Sequence, residues 1–201
     1  MAAAERIASG EIERAFAFIG AGGHHAGRGF FGGYCCFNDV AVAIARLRDT
    51  SGVRRFAILD TDAHHADGTR DILEDDPDVL HVCICGTNYV SPDGTKVDVP
   101  APRAGEDTDE AYLRLAEAAF SGRARAFRPD LAIWYFGFDG HHGDYGDLGL
   151  SLRCFVGLAD LMVRVAKEAS AGRLLTVLGG GSRTDLATMI IPEVIHRLGK
   201  D

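Results

Sequence analysis

Apolar and polar positions alternate along this chain in short blocks. Five apolar runs rich in β-branched or aromatic residues predict buried strands at 15–19, 56–60, 79–85, 131–137 and 174–178. Segments with helical periodicity lie at 1–14, 39–49, 67–76, 109–127, 152–169 and 187–198. Because strand and helix alternate, we expect an α/β fold of three layers, with a mainly parallel sheet covered by helices on both faces.

Two segments fit this alternation less well. Residues 86–108 contain turn formers and few apolar anchors, so they predict a long loop. Pro192 lies inside the last helical segment, where it predicts a kink or a restart of the helix.

The first predicted strand has no strand before it. We expect one domain over residues 1–201, shortened at its N-terminus relative to a complete fold. A sheet that begins this way leaves an exposed edge or apolar patch, so we also expect a homo-oligomer or a partner that covers it.

The composition indicates a folded globular protein, with 47% hydrophobic and 25% charged residues. A formal net charge of −8 disfavours nucleic acids and anionic membranes as partners, whereas a basic substrate remains compatible. The sequence has neither an apolar run long enough to span a bilayer nor the pattern of a secretion signal. We therefore expect a cytoplasmic protein.

The five cysteines are odd in number and lack zinc-ribbon spacing, so disulfides are not expected. The pairs Cys35–Cys36 and Cys83–Cys85 could meet as a thiolate metal site. Because the second pair lies inside an apolar strand, however, buried free cysteines are the favoured interpretation.

Three polar clusters follow predicted strands, namely GAGGHHAGRGFFGGYCC (20–36), DTDAHHADG (60–68) and GFDGHHGDYGD (137–147). Functional sites of parallel sheets lie beyond the carboxyl ends of the strands. The three clusters are therefore expected to form a single site.

The second cluster has the spacing of a metal site. Asp60, Asp62 and His64 share one side of an extended segment, so one aspartate and the histidine can reach the same ion. Asp139 is the candidate third ligand, which would leave positions open for water and substrate, as in catalytic zinc sites. Such an ion activates water and polarises a carbonyl for amide hydrolysis. A two-metal phosphoesterase is the alternative from another class.

His24 and His25 follow a glycine-rich turn, which allows their rings to approach the metal closely. Asp60 and Asp67 are the candidate partners that would orient these imidazoles and raise their basicity. His65 points away from the side shared by its neighbours and is not expected to be a ligand.

Four segments together resemble the histone deacetylase family, which includes acetoin-utilisation proteins and acetylpolyamine amidohydrolases. They are GGHHAGRG…GGYCCFNDVAVAIARL, ILDTDAHHADGTRDIL, YFGFDGHHGD and TVLGGG, in the family's order. The resemblance implies the arginase–deacetylase fold and zinc-dependent removal of an acyl group from an acylated lysine or polyamine.

The resemblance also implies roles for individual residues. Zinc would be bound by Asp62, His64 and Asp139. His25, paired with Asp67, would be the principal general base. His24, paired with Asp60, would support the transition state. A potassium ion would bind Asp60, Asp62 and His64, in part through main-chain oxygens. Gly33 and Tyr34 would form the wall of the acyl-lysine channel, and Gly180 and Gly181 would bind substrate.

The sequence departs from the family at its catalytic tyrosine. Ser182 or Arg183 stands where that tyrosine would donate a hydrogen bond to the substrate carbonyl. Weak or no hydrolysis of acetyl-lysine is therefore expected, with His141 or His142 as candidate substitutes for the missing donor. A weakly active or inactive member that binds acyl-amine ligands, or acts as an interaction subunit, is the second hypothesis.

Overall fold

The structure is a computed structural model that describes residues 1–19, 22–105 and 107–200. Within these ranges seven strands form one sheet in the spatial order β1-β7-β6-β2-β3-β5-β4. The strands are β1 Arg14–Ala17, β2 Phe56–Asp60, β3 Val79–Cys85, β4 Tyr89–Val90, β5 Lys96–Pro100, β6 Leu131–Phe136 and β7 Leu174–Leu178. Every neighbouring pair is parallel except β4 and β5.

Helices cover both faces of this sheet. They are α1 Ala2–Ala8, α2 Asp39–Thr50, α3 Asp67–Leu73, α4 Thr108–Ala116, α5 Gly122–Phe127, α6 Leu152–Ala169 and α7 Thr184–Leu198. A π-helical turn, Glu117–Ser121, connects α4 and α5. No helix within the described ranges has the length and apolar character needed to cross a membrane.

Alternate side chains of the strands enter two separate cores. In β2, Ala57 and Leu59 belong to the larger core, which lies beneath α4 to α7. Phe56 and Ile58 belong to the other core, which lies beneath α1 and α2. This explains why the central strands have continuous apolar sequences: both of their faces are buried. The predicted three-layer arrangement is confirmed.

The prediction of a long loop at 86–108 is wrong, because β4 and β5 lie within it. The strand β5 was hidden by two buried polar residues, Lys96 and Asp98, which interrupt its apolar pattern. The Lys96 ammonium group donates hydrogen bonds to the main-chain oxygens of Asp76 and Val79, and these bonds compensate its burial.

Two helix predictions also need correction. The last helix begins at Thr184 and continues through Pro192 to Leu198, so it does not restart at the proline. The first helix ends at Ala8 instead of extending to residue 14. The strands β2, β3 and β7 coincide with their predicted ranges.

Candidate metal and catalytic site

The polar clusters meet where four neighbouring strands end. The strands β1, β7, β6 and β2 are adjacent in the sheet, and the segments that follow them enclose a cavity of about 750 Å³. The cavity is lined by Ile19, Gly22, His24, His25, Gly33, Tyr34, Cys35, Asp62, His64, Tyr135, Tyr145, Leu178, Gly179, Gly180, Gly181 and Ser182. The three clusters therefore form one site, as the strand-end argument predicts.

The structure brings together the three predicted metal ligands, Asp62, His64 and Asp139, which we call the metal triad. One donor atom from each lies within 4.8 Å of the others. The His64 Nδ1 atom is 3.1 Å from Asp62 Oδ1 and 2.9 Å from Asp139 Oδ2. Two carboxylates and one imidazole form a donor set typical of an open zinc site.

Main-chain hydrogen bonds hold the two carboxylates of the metal triad in place. Main-chain amides bind one oxygen of each carboxylate: Gly180 N donates to Asp62 Oδ2, and Ala63 N donates to Asp139 Oδ1. The other oxygen of Asp139, Oδ2, is buried and lies 2.9 Å from His64 Nδ1. Burying two carboxylates beside each other is costly, and a divalent ion bound by the triad would offset that cost. The residues present fit a metal.

The electrostatics of the cavity favour positive charge. Burial lowers the pKa of His24, but the carboxylates of Asp60, Asp62 and Asp139 outweigh this effect and raise it to about 9. Hydrogen bonds to Asp139 and Asp62 raise the pKa of His64 to about 10. Protons on these imidazoles compensate the buried carboxylates, and a bound cation would do so in their place.

Both predicted histidine–carboxylate contacts are confirmed. His24 Nδ1 lies 2.9 Å from Asp60 Oδ2, and His25 Nδ1 lies 2.6 Å from Asp67 Oδ1. Because a carboxylate accepts a hydrogen bond from each Nδ1–H group, Nε2 is the acceptor atom of each ring when the ring is neutral. The base and transition-state roles of these histidines remain predictions.

Tyr135 positions the tandem histidines, a contribution that the sequence analysis missed. Its hydroxyl group accepts hydrogen bonds from Gly23 N at 2.7 Å and from His24 N at 3.3 Å. Its ring stacks on the His24 ring with a centroid distance of 4.7 Å. In the sequence, Tyr135 is marked only by its hydroxyl group within an otherwise apolar run, and such a run predicts a buried strand.

Two glycines allow the histidine segment to pack closely. A Cβ atom at Gly68 would lie 2.4 Å from the main-chain carbon of Ala26, so no side chain fits there. A Cβ atom at Gly33, which has a φ of +48°, would lie 2.0 Å from the His25 ring. These positions require glycine because backbone and imidazole occupy the space of a side chain.

Asn38 connects the histidine segment to α2 and α3. Its Oδ1 atom accepts from Ala41 N and caps α2, while its Nδ2 atom donates to Ala26 O and Thr69 Oγ1. We expect Asn38→Ala to lower the free energy of unfolding by about 2–3 kcal/mol, since it removes a helix cap and unpairs buried polar groups. Urea denaturation measures this loss.

Asn38→Asp is the matched control for that prediction. It retains the acceptor for Ala41 N but replaces the amide group that donates to Ala26 O and Thr69 Oγ1. Its loss of unfolding free energy should therefore come from these two hydrogen bonds alone. Unfolding free energies of Asn38→Ala and wild type that agree within error would contradict the assignment.

The predicted substrate-binding residues all line the cavity, although Tyr34 does so only at its rim. Tyr34 is 97% exposed, with a left-handed φ of 64°. Gly180 and Gly181 also line the cavity. A Cβ atom at Gly181 would lie 2.3 Å from the Phe138 ring, and its φ is +130°.

Neither residue at the family's tyrosine position offers a free donor to the cavity. The Ser182 hydroxyl group donates to Asp144 Oδ1 at 3.1 Å. The Arg183 guanidinium group forms an ion pair with Asp185. The suggested substitutes also lie elsewhere, since His141 and His142 are not among the residues that line the cavity.

Tyr145 brings a phenol to the cavity, and the sequence analysis missed it. Its ring stacks on His64 at a centroid distance of 5.4 Å, and its hydroxyl group accepts from Gly181 N at 3.2 Å. A Cβ atom at Gly180 would lie 2.4 Å from Asp62 Oδ2 and 2.7 Å from Tyr145 Oη. The phenol and the metal triad therefore border the same small space.

Comparison with known proteins places this site in a family. A family model described as the histone deacetylase domain matches residues 1–198. Histone deacetylase 14, chloroplastic, from Arabidopsis thaliana is 31% identical over 200 residues, which cover 92% of this chain and 47% of the relative. A probable deacetylase from Archaeoglobus fulgidus is 33% identical over 192 residues, covering 89% and 53%. The chain thus spans about half the length of the curated relatives it matches.

Solved structures agree with this placement. The HDA15 HD domain superposes with a TM-score of 0.81 at 29% identity, over 99% of this chain and 61% of that one. An acetylpolyamine aminohydrolase from Burkholderia pseudomallei superposes with a TM-score of 0.85 at 26% identity, over 98% and 59%. The chain belongs to the histone deacetylase family and has its α/β deacetylase fold.

Proposed function

We propose that this protein is a zinc-dependent amide hydrolase that removes an acyl group from an acylated lysine or polyamine. The observation that carries the proposal is the metal triad, with its two buried carboxylates, beside two carboxylate-paired histidines at one site. Amide hydrolysis needs a polarised carbonyl, an activated water and a proton carrier. The site contains a candidate for each.

Asp62, His64 and Asp139 would hold the zinc, which when bound supplies a Lewis acid for the carbonyl and lowers the pKa of water. His25 takes the water proton on Nε2, since Asp67 orients its ring and stabilises the resulting imidazolium. His24, held by Asp60, stabilises charge beside the reacting carbonyl and protonates the leaving amine.

Tyr145 donates the hydrogen bond that stabilises the developing oxyanion. Because its oxygen already accepts from Gly181 N, its own proton is free to point into the cavity. Burial raises the pKa of Tyr145 to about 12, so the phenol keeps that proton at neutral pH. This donor favours an active hydrolase over an inactive ligand-binding member, despite Ser182 and Arg183 at the family position.

A single preparation can test this proposal. Metal analysis of the purified protein should find zinc, and a fluorogenic panel of acetyl-lysine peptides and acetylpolyamines should show hydrolysis that a chelator abolishes and added zinc restores. Zinc binding without turnover of any substrate in the panel would support the ligand-binding alternative instead. Absence of bound zinc after loading would overturn the proposal. Potassium binding near Asp60, Asp62 and His64 remains a prediction.

Self-association also remains a prediction, and the structure indicates where to look for it. Among the residues that the structure describes, β1 is an edge strand that pairs only with β7, and Phe18 beside it is 65% exposed. An unpaired edge with an exposed aromatic side chain favours association. We expect light scattering at working concentration to give more than the monomer mass, and Phe18→Lys to shift it towards the monomer. A strictly monomeric wild-type protein would contradict this.

A further inference from the structure

A second group of metal-binding side chains lies outside the cavity. The side chain of His65 does not line the cavity, although its neighbour His64 does. It meets Cys83 and Cys85 of β3 and Asp98 of β5, and one donor atom from each of the four lies within 4.8 Å of the others. We call these four residues the thiolate cluster. None of them has a part in the proposed hydrolysis.

The separations in the thiolate cluster suit one ion. The Cys85 Sγ atom is 3.5 Å from His65 Nδ1, which is 3.7 Å from Asp98 Oδ2. Tetrahedral zinc with bonds of about 2.0–2.3 Å separates its ligand atoms by roughly 3.3–3.8 Å. Cys83 and Cys85 can both contribute because residues two apart on a strand project from the same face.

We propose that the thiolate cluster is a structural zinc site, in which His65, Cys83, Cys85 and Asp98 bind one Zn²⁺ ion in closed, four-coordinate geometry. Two sulfur donors, one imidazole and one carboxylate form a soft set that selects zinc over magnesium or calcium. The cysteines lose their protons when the metal binds.

Arg70 balances the charge of this site. Two thiolates and one carboxylate around Zn²⁺ leave one net negative charge, which must be compensated in a buried position. The Arg70 Nη2 atom lies 2.5 Å from Asp98 Oδ1 and so provides the matching positive charge. That contact uses Oδ1 and leaves Oδ2, the oxygen nearest His65, free for the metal.

The site has a route for the ion and a structural consequence. Cys83, Cys85 and Asp98 are buried, but the His65 side chain is 30% exposed, so the ion can enter from that side. Binding would connect the segment between β2 and α3 to β3 and β5. Because the same segment carries His64, zinc in the thiolate cluster would also fix the position of a metal-triad ligand.

The test isolates the thiolate cluster by disabling the metal triad with Asp139→Ala. Loaded with Co²⁺, this variant should bind about one equivalent and show the strong near-ultraviolet absorption of thiolate-to-cobalt charge transfer. Adding Cys85→Ser to this variant should eliminate both the bound equivalent of Co²⁺ and the charge-transfer absorption. Cys36→Ser, which removes an exposed thiol outside the cluster, is the matched control and should change neither.

His65→Ala in the Asp139→Ala background provides a second route if Cys85→Ser does not fold, because it changes a partly exposed side chain. It should weaken cobalt affinity at least about tenfold, as loss of one ligand to a four-coordinate ion does. No bound metal in the Asp139→Ala protein, a charge-transfer band that survives loss of Cys85, or an unchanged cobalt affinity after loss of His65 would overturn the proposal. None of these outcomes depends on deacetylase activity, so failure here is distinguishable from failure of the proposed function.

Discussion

Asp139→Ala should release the metal of the triad and reduce amide hydrolysis by about 10³-fold or more. Asp139 supplies one of the three ligands of the metal triad, and its buried Oδ2 atom lies 2.9 Å from His64 Nδ1. Loss of a Lewis acid removes several kcal/mol of transition-state stabilisation, and each 1.36 kcal/mol is about tenfold in rate. Metal release is measured as zinc per chain after dialysis against a mild chelator. The loss of hydrolysis is measured as turnover of acetyl-lysine peptides.

This prediction has a stability readout that separates it from misfolding. The metal-free Asp139→Ala protein should still unfold cooperatively in urea, although it loses the Asp139 contacts to Ala63 N and His64 Nδ1. Asp75→Ala, which changes an exposed aspartate in the turn after α3, is the control and should retain both metal and rate. The thiolate cluster should keep its own equivalent in both variants. An Asp139→Ala protein with wild-type turnover would show that the ligand set is wrong.

Tyr145→Phe should slow hydrolysis of acetyl-lysine by about 10²–10³-fold, which corresponds to roughly 2.7–4 kcal/mol of lost oxyanion stabilisation. The loss should fall on kcat, because the hydrogen bond strengthens only as negative charge develops on the carbonyl oxygen. Zinc content should not change, since the phenol stacks on His64 and is not a member of the triad. Steady-state kinetics together with metal analysis separate these quantities.

Tyr89→Phe is the matched control for Tyr145→Phe, because it removes the hydroxyl group of an exposed tyrosine that does not line the cavity. It should leave kcat within about twofold of wild type, as expected for a surface substitution. Trifluoroacetyl substrates, which depend less on the donor, should lose less rate than acetyl substrates in Tyr145→Phe. Equal rates of wild type and Tyr145→Phe on acetyl-lysine would exclude Tyr145 as the oxyanion donor.

The sequence predicts those parts of the site that local order determines. Asp62 and His64 are two residues apart at the end of a buried strand, and Asp139 follows another, so strand periodicity places them at one edge of the sheet. The pairing of His24 with Asp60 required only that β1 and β2 end at the same edge. These features depend on strand direction and spacing, which the pattern of apolar residues reveals.

The features that were missed depend on how loops fold across one another. Tyr145 reaches the cavity because the turn after Asp139 returns it to Gly181, and no periodicity predicts such a return. Likewise, Cys83 and Cys85 lie beside Asp98 only because β5 pairs with β3, and β5 itself was predicted as a loop. The sequence identified the thiols but not the residues that accompany them.

The hydrogen bond from Gly23 N to the Tyr135 hydroxyl group makes amide hydrogen exchange a probe of motion in the histidine segment. The Gly23 amide proton is bound by a buried phenol of the central sheet and not by water. Exchange of this proton with deuterated solvent therefore requires the histidine segment to lift from β6, and its rate reports the free energy of that opening. The exchange rate of the amide proton one residue before the tandem histidines thus measures how often the histidine segment detaches from the sheet.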